Sequence, residues 1–151
     1  MTGFKVDMDI VNRSQAKPFI TKDGSEIREL LAYRNSVIRN QSLAEATIAV
    51  GAATQEHYHP KSEEIYYILR GTARMKIDGE LREVGPLDAV AIPPGARHKI
   101  WNTGSEPLVL LCCCAPAYEN NDTKCTAGQS SSPKRSKKPK RKSPSKPSLS
   151  Q

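Results

Sequence analysis

Gly51-Ala-Ala-Thr-Gln-Glu-His57-Tyr-His59-Pro-Lys-Ser-Glu63-Glu64-Ile-Tyr66-Tyr-Ile-Leu-Arg-Gly71 places two histidines two residues apart, a glutamate five residues later and a closing glycine seven beyond that. Residues i and i+2 of a strand share a face, so the imidazoles of His57 and His59 can aim at one point. A carboxylate on the next strand can reach the same point. The chain holds three histidines, and the third, His98, opens a strand just after Pro93-Pro94-Gly95. Three neutral imidazoles and one carboxylate suit a single divalent ion of iron, manganese, nickel, copper, cobalt or zinc. Four protein ligands leave positions open on an octahedral ion, which marks a reactive site rather than a closed structural one.

Outward from this stretch the chain reads as strands. Ser42–Val50 alternates, with Ala44, Ala46, Ile48 and Val50 on one face, the pattern of a half-buried strand. Glu64–Leu69 is β-branched and aromatic. Its period of two puts Glu64, Tyr66 and Ile68 on one face and Ile65, Tyr67 and Leu69 on the other, and both faces are expected to be covered. After Gly71 the apolar parity switches to Ala73, Met75 and Ile77, which predicts a bend or bulge at Arg70-Gly71. Asp78-Gly79 is a two-residue hairpin signal, with Glu80–Val84 returning. Asp88–Ile92, Arg97–Trp101 and Leu108–Cys114 complete the set, the last apolar on both faces and read as buried. Glu26–Ala32 is too short to decide between helix and strand, and residues 1–25 are weakly patterned apart from a turn at Asp23-Gly24. Seven or so short strands with regular turn signals predict an all-β sandwich or barrel.

The 151 residues suit one domain. There is no apolar run of membrane-spanning length and no signal-peptide pattern at the N-terminus, so a cytoplasmic protein without membrane contact is expected. Residues 130–151 carry eight lysines and arginines and no acid, which leaves 15 basic against 16 acidic residues in the remainder of this +7 chain. The basicity therefore belongs to the end of the sequence. Residues 1–122 are expected to form the domain, and 123–151 a disordered Ser/Pro/Lys/Arg tail. Such a tail could bind nucleic acid without sequence preference. Cys112, Cys113 and Cys114 are consecutive, poorly placed to pair with one another, and read as small buried hydrophobes. Cys125 reads as a free thiol in the tail.

These residues resemble the two motifs of the cupin superfamily. The first family motif, a glycine, His-X-His, a glutamate and a second glycine, is matched by Gly51, His57, His59, Glu64 and Gly71, and the spacing to Gly71 selects Glu64 over Glu63. The second is matched by Pro93, Gly95, His98 and Asn102, but Leu87 stands where the family has a turn glycine. The resemblance covers roughly residues 40–116. It implies a cupin-type jelly-roll β-barrel with a metal inside, often as a homodimer, close to small single-domain bacterial cupins. Gly51, Gly71, Pro93, Gly95 and Asn102 are read as architectural.

By face parity Tyr66, Ile68, Ile100, Met75 and Ile77 are candidates to line the pocket, and the Tyr66 phenol could hydrogen-bond a small-molecule substrate or act as an acid. No dedicated carboxylate or phosphate clamp is evident. The expectation is a metalloenzyme acting on a small oxygenated organic molecule, of dioxygenase type or of sugar or keto-acid isomerase, epimerase or lyase type. The alternative is a non-enzymatic ligand-binding cupin whose basic tail docks on nucleic acid.

Overall fold

The structure, a computed structural model, describes residues 7–126. In chain order the strands are β1 (Phe19–Ile20), β2 (Glu26–Leu31), β3 (Ser42–Ile48), β4 (His57–Tyr58), β5 (Glu63–Arg70), β6 (Ala73–Ile77), β7 (Glu80–Val84), β8 (Ala89–Ile92), β9 (His98–Asn102), β10 (Leu108–Ala115) and β11 (Lys124–Cys125). The described helices are two short 3-10 turns, Arg13–Gln15 and Asn120–Asp122. No helix among the described residues is long and apolar enough to cross a membrane. A six-stranded antiparallel sheet in the order β1-β2-β3-β10-β5-β8 faces a five-stranded sheet in the order β11-β4-β9-β6-β7. This is the all-β jelly-roll architecture.

Burying one face of each strand between the two sheets explains the alternation along the chain. Ile48, Ile68, Leu108 and Leu110 point inward from the six-stranded sheet and meet Ala73, Met75 and Ile100 of the other. Each large side chain fully removed from water contributes about 1.5–3 kcal/mol. Glu26–Leu31, undecided from sequence, is a strand because β1 and β3 pair with it on either side; its hydrogen-bonding neighbours decide what seven residues of pattern could not. The change of parity after β5 has the expected cause. Arg70 pairs with Val109 and Ile68 with Leu110, so Leu69 is left out of register, a bulge just before Gly71.

Two expectations about coverage need correction. Ile65 and Leu69 are 49% and 42% exposed, so the outer face of β5 is not covered by the described residues. Likewise β10 alternates buried and half-buried residues instead of being buried on both sides. Among the described residues there is no helix layer to cover a second sheet face. The folded body also runs past residue 122. Thr123 is buried, β11 pairs with β4, and Thr126 donates its backbone N–H to the Glu56 carbonyl at 2.9 Å. Backbone pairing, to which composition is blind, brings these residues in. Cys125 is exposed and unpaired with another cysteine. The basic tail from residue 127, with the nucleic-acid reading that rests on it, lies outside the described residues.

Turns hold the ends in place. Asp78 and Gly79 have φ of 44° and 92°, the mirror-image turn that suits a two-residue hairpin. Asn102 donates to the carbonyls of Ile48 at 3.0 Å and Glu106 at 2.8 Å and accepts from Gly104 N–H at 2.9 Å, so it joins the end of β9 to β3. Leu87, at the family's glycine position, has φ of 74° and is 75% exposed. The turn keeps the left-handed backbone that glycine favours and bears the cost of a Cβ there. Gly71, with φ of 89°, is different: a Cβ on it would sit 3.0 Å from Leu108 Cα and 3.2 Å from the Pro107 carbonyl oxygen.

These two turns make opposite predictions for chemical denaturation. Leu87→Gly should stabilise the fold by up to about 1 kcal/mol, the left-handed penalty less the extra chain entropy of glycine. Gly71→Ala should destabilise it by about 2 kcal/mol or more, because backbone strain and a clash with fixed backbone atoms add.

Candidate metal centre

The site forms where the sheets face each other. His57 on β4 lies directly across from His98 on β9. The third imidazole comes from His59, just past β4, whose carbonyl accepts Gly95 N–H at 2.8 Å, so the Pro-Pro-Gly turn is latched to this segment. Glu64 arrives from the opposite sheet, in an inward-facing row between Cys114 of β10 and Ile92 of β8. Glu63 points out to solvent, so the parity of β5 makes the choice that the motif spacing implied. All four side chains are buried, and each offers a ligand atom within 4.8 Å of the others.

Each imidazole is oriented by its far nitrogen. His57 Nδ1 lies 2.8 Å from the Gln55 carbonyl and His98 Nδ1 3.0 Å from the Ala96 carbonyl. A carbonyl only accepts, so Nδ1 carries the proton and Nε2 keeps its lone pair for the interior. His59 Nδ1 stands 3.4 Å from Thr123 Oγ1, and that hydroxyl donates in turn to the Glu119 carbonyl at 3.3 Å. Glu64 Oε1 accepts from the Cys114 thiol at 3.5 Å. Its other oxygen, Oε2, faces His59 Nε2 at 3.3 Å and His98 Nε2 at 3.2 Å.

Glu64 Oε2 and His98 Nε2 are buried without a hydrogen-bond partner. Such orphans are costly unless something else satisfies them. A divalent ion would, because it takes lone pairs from all four groups at once, so the donor set fits a metal of the N/O-ligated kind.

Electrostatics agree. Burial alone would raise the Glu64 carboxyl, but in the metal-free site the His59 and His98 imidazoles, when they also carry a proton on Nε2, outweigh it and hold the group at about 2. Burial alone would lower His59, yet Glu64 overcomes it and raises that imidazole above its ordinary 6.5. His57 is pushed down from 6.5 by burial and then by His98, which keeps it neutral and ready to ligate.

A cavity opens beside the cluster. Of the residues picked by parity, Tyr66 and Ile100 line it, whereas Ile68 is packed into the core away from it. Ile77 and Met75 instead face a second opening between β7 and β8. The parity was right and the height along the barrel was not, because alternation locates a face and not a level. Tyr66 is 4% exposed, and its ring stands edge-on to His98 with centroids 5.9 Å apart. Burial, then the charge of Glu64, push its phenol well above 10, so it stays protonated.

Sequence reasoning missed two contributors, Asp23 and Thr123, and read a pair of inward-facing cysteines only as packing. Asp23, read as a turn residue, is buried with Oδ2 3.5 Å from His57 Nε2. Thr123 was assigned to the tail. Cys112 and Cys114 are buried as expected, but they line the cavity, and Cys114 orients the Glu64 carboxylate. A strand pattern signalled the cysteines' inward face; nothing local signalled Asp23 or Thr123, which meet the site only through long-range packing.

A two-sheet jelly roll with a three-histidine, one-glutamate cluster at its centre defines a cupin with a potential metal site, and the comparisons agree. The family model for the cupin domain matches residues 44–114. The uncharacterized protein MJ1618 of Methanocaldococcus jannaschii is 52% identical over 71% of this chain and 86% of its own length. The tetracenomycin polyketide synthase protein TcmJ of Streptomyces glaucescens is 29% identical over 63% of this chain and 64% of its own. The crystal structure of a predicted oxalate decarboxylase from Thermotoga maritima superposes with a TM-score of 0.64 at 25% identity, covering 72% of this chain and 99% of that one. The chain belongs to the cupin family.

Metal uptake is expected to be proton-coupled, because His59 must be neutral to ligate. Affinity for zinc, measured by competition with a chelator, should therefore rise as the pH climbs through 6.5 and the raised value of His59. His98→Gln should weaken it by about 100-fold or more. In the metal-free protein the Glu64 contribution to stability is complete above its ordinary 4.5 and is lost as the pH falls from there to about 2, because the folded value lies below the unfolded one.

Proposed function

We propose that this protein is a divalent-metal enzyme acting on a small oxygenated organic molecule, with His57, His59, Glu64 and His98 as the metal ligands. One observation carries the reading: three imidazole nitrogens and one carboxylate oxygen are buried and converge within 4.8 Å, and His57, His59 and Glu64 of this cluster stand in the wall of a cavity. When bound, the ion supplies Lewis acidity or, if it is iron, access to dioxygen chemistry. The remaining work falls to the chain. The Gln55 and Ala96 carbonyls hold the imidazoles in one tautomer, and Cys114 leaves one carboxylate oxygen free. Tyr66, kept protonated, is proposed as the hydrogen-bond donor that orients the reacting oxygen. Apolar walls from Ile48, Ile100 and Leu110 limit water at the reacting atoms.

The relatives support a small-molecule site of this kind. TcmJ is named for polyketide synthesis, and the Thermotoga structure for oxalate decarboxylation. Elemental analysis of protein purified without a chelating tag tests the metal directly. About one metal per chain is expected, and its absence would end the metalloenzyme reading. Iron together with turnover that stops without dioxygen would assign oxygenase chemistry; anaerobic turnover would assign the isomerase or lyase type.

We propose a homodimer as the working form. Ile65, Leu69, Ala89 and Ala91 make an exposed apolar surface on the outer face of the six-stranded sheet, while Arg13 of the N-terminal segment reaches Glu45 on β3 of the same sheet at 2.6 Å. A second copy would remove this apolar face from water. Sedimentation should show a dimer, and Leu69→Glu should yield a monomer that still takes up metal.

A further inference from the structure

We infer that the cavity takes an uncharged ligand bearing a hydroxyl beside a carbonyl, with Asp23 as the acceptor that positions the hydroxyl. The inference rests on the metal reading above and adds the class of ligand. Asp23 sits in the turn between β1 and β2. The turn is closed by Thr21 N–H to the Ser25 carbonyl at 3.1 Å, and it is tied to the segment before β4 by Gln55 N–H to the Asp23 carbonyl at 2.7 Å. Its two carboxylate oxygens are not equivalent. Oδ1 accepts from Thr21 Oγ1 at 2.5 Å, Ser25 N–H at 2.9 Å and Ser25 Oγ at 2.6 Å. Oδ2 has none of these donors and faces His57 Nε2 at 3.5 Å. Three donors on one oxygen fix the carboxylate rigidly and leave the other beside the histidine cluster, in the wall of the cavity.

Charge then narrows what can enter. Among the described residues no lysine or arginine lines this cavity. Of its other acids, Glu64 belongs to the histidine cluster and Glu29 is already paired with Arg34, whose Nε lies 3.0 Å from Oε1. A divalent ion at the four ligands would be balanced by Glu64 and Asp23 before any ligand arrives. An anion would add an unpaired charge to a buried, largely apolar pocket, which is unfavourable. A neutral molecule meets complementary groups instead. Asp23 Oδ2 accepts a hydroxyl proton. The phenols of Tyr66 and Tyr118 are donors for a carbonyl oxygen, and the Tyr118 hydroxyl is buried with no partner of its own. Ala46, Ile48 and Leu110 accept the hydrocarbon part.

The test uses the full-length protein loaded with cobalt(II), whose visible spectrum reports ligands that reach the metal. The probes are 2-hydroxyacetophenone, a neutral hydroxyketone, and oxalate, a dianion of similar chelating geometry. Wild-type protein is expected to bind the hydroxyketone in preference to oxalate. Asp23→Asn, at unchanged cobalt stoichiometry, is expected to lose roughly tenfold in hydroxyketone affinity, the size of one hydrogen bond to a charged group, and to gain roughly as much for oxalate. Oxalate preferred by the wild type would overturn the inference while leaving the metal reading intact, as would an Asp23→Asn variant with unaltered preference. Wild-type protein that takes up no cobalt would overturn both. Should the variant fail to fold, the wild-type preference between the two probes decides alone.

Discussion

Everything at the centre of this protein depends on one carboxylate being held out of water against three imidazoles. Glu64 stands on one sheet and His57 and His98 on the other, so the contact spans the layer in which both sheets bury their apolar faces. Burial penalises the carboxylate and neighbouring imidazoles favour it; the second effect wins. The balance is local and tight, because two polar atoms of the cluster still lack partners within the protein. A site that is incomplete in this way could take a cation.

Orientation is supplied by groups that do no chemistry themselves. Backbone carbonyls at Gln55 and Ala96 take the outer protons of two imidazoles, a threonine hydroxyl faces the third, and a thiol takes one oxygen of the glutamate. Each partner lies either two residues before its histidine or on a packed neighbouring element. Rigid strands therefore set the inner geometry, while the turn bearing Asp23 adds a feature that belongs to the cavity and not to the ligand set.

Leu87 shows how such a framework tolerates departure. The family has glycine at this turn, and here leucine keeps the left-handed backbone at φ of 74° with its side chain in solvent. The penalty is bearable because the turn is exposed. At Gly71 the same change would push a Cβ into the backbone of β10, where no rotamer offers relief.

From the sequence came the all-β class, the four residues of the cluster, the placement of Tyr66 and Ile100 at the cavity and, through the family motif it resembles, the choice of Glu64 over Glu63. Period-two alternation and motif spacing are local properties, and a strand keeps them wherever it lies. Tertiary structure decided the rest. Whether Glu26–Leu31 is a strand depends on its neighbours β1 and β3. Whether Ile68 lines the cavity or the core depends on its level in the barrel, and whether Ile65 is covered depends on what lies outside the sheet. Asp23 and Thr123 reach the cluster from 34 residues before and 64 residues after the histidines they approach. Contacts at that separation follow from the order in which strands pair, and a linear pattern carries no record of that order.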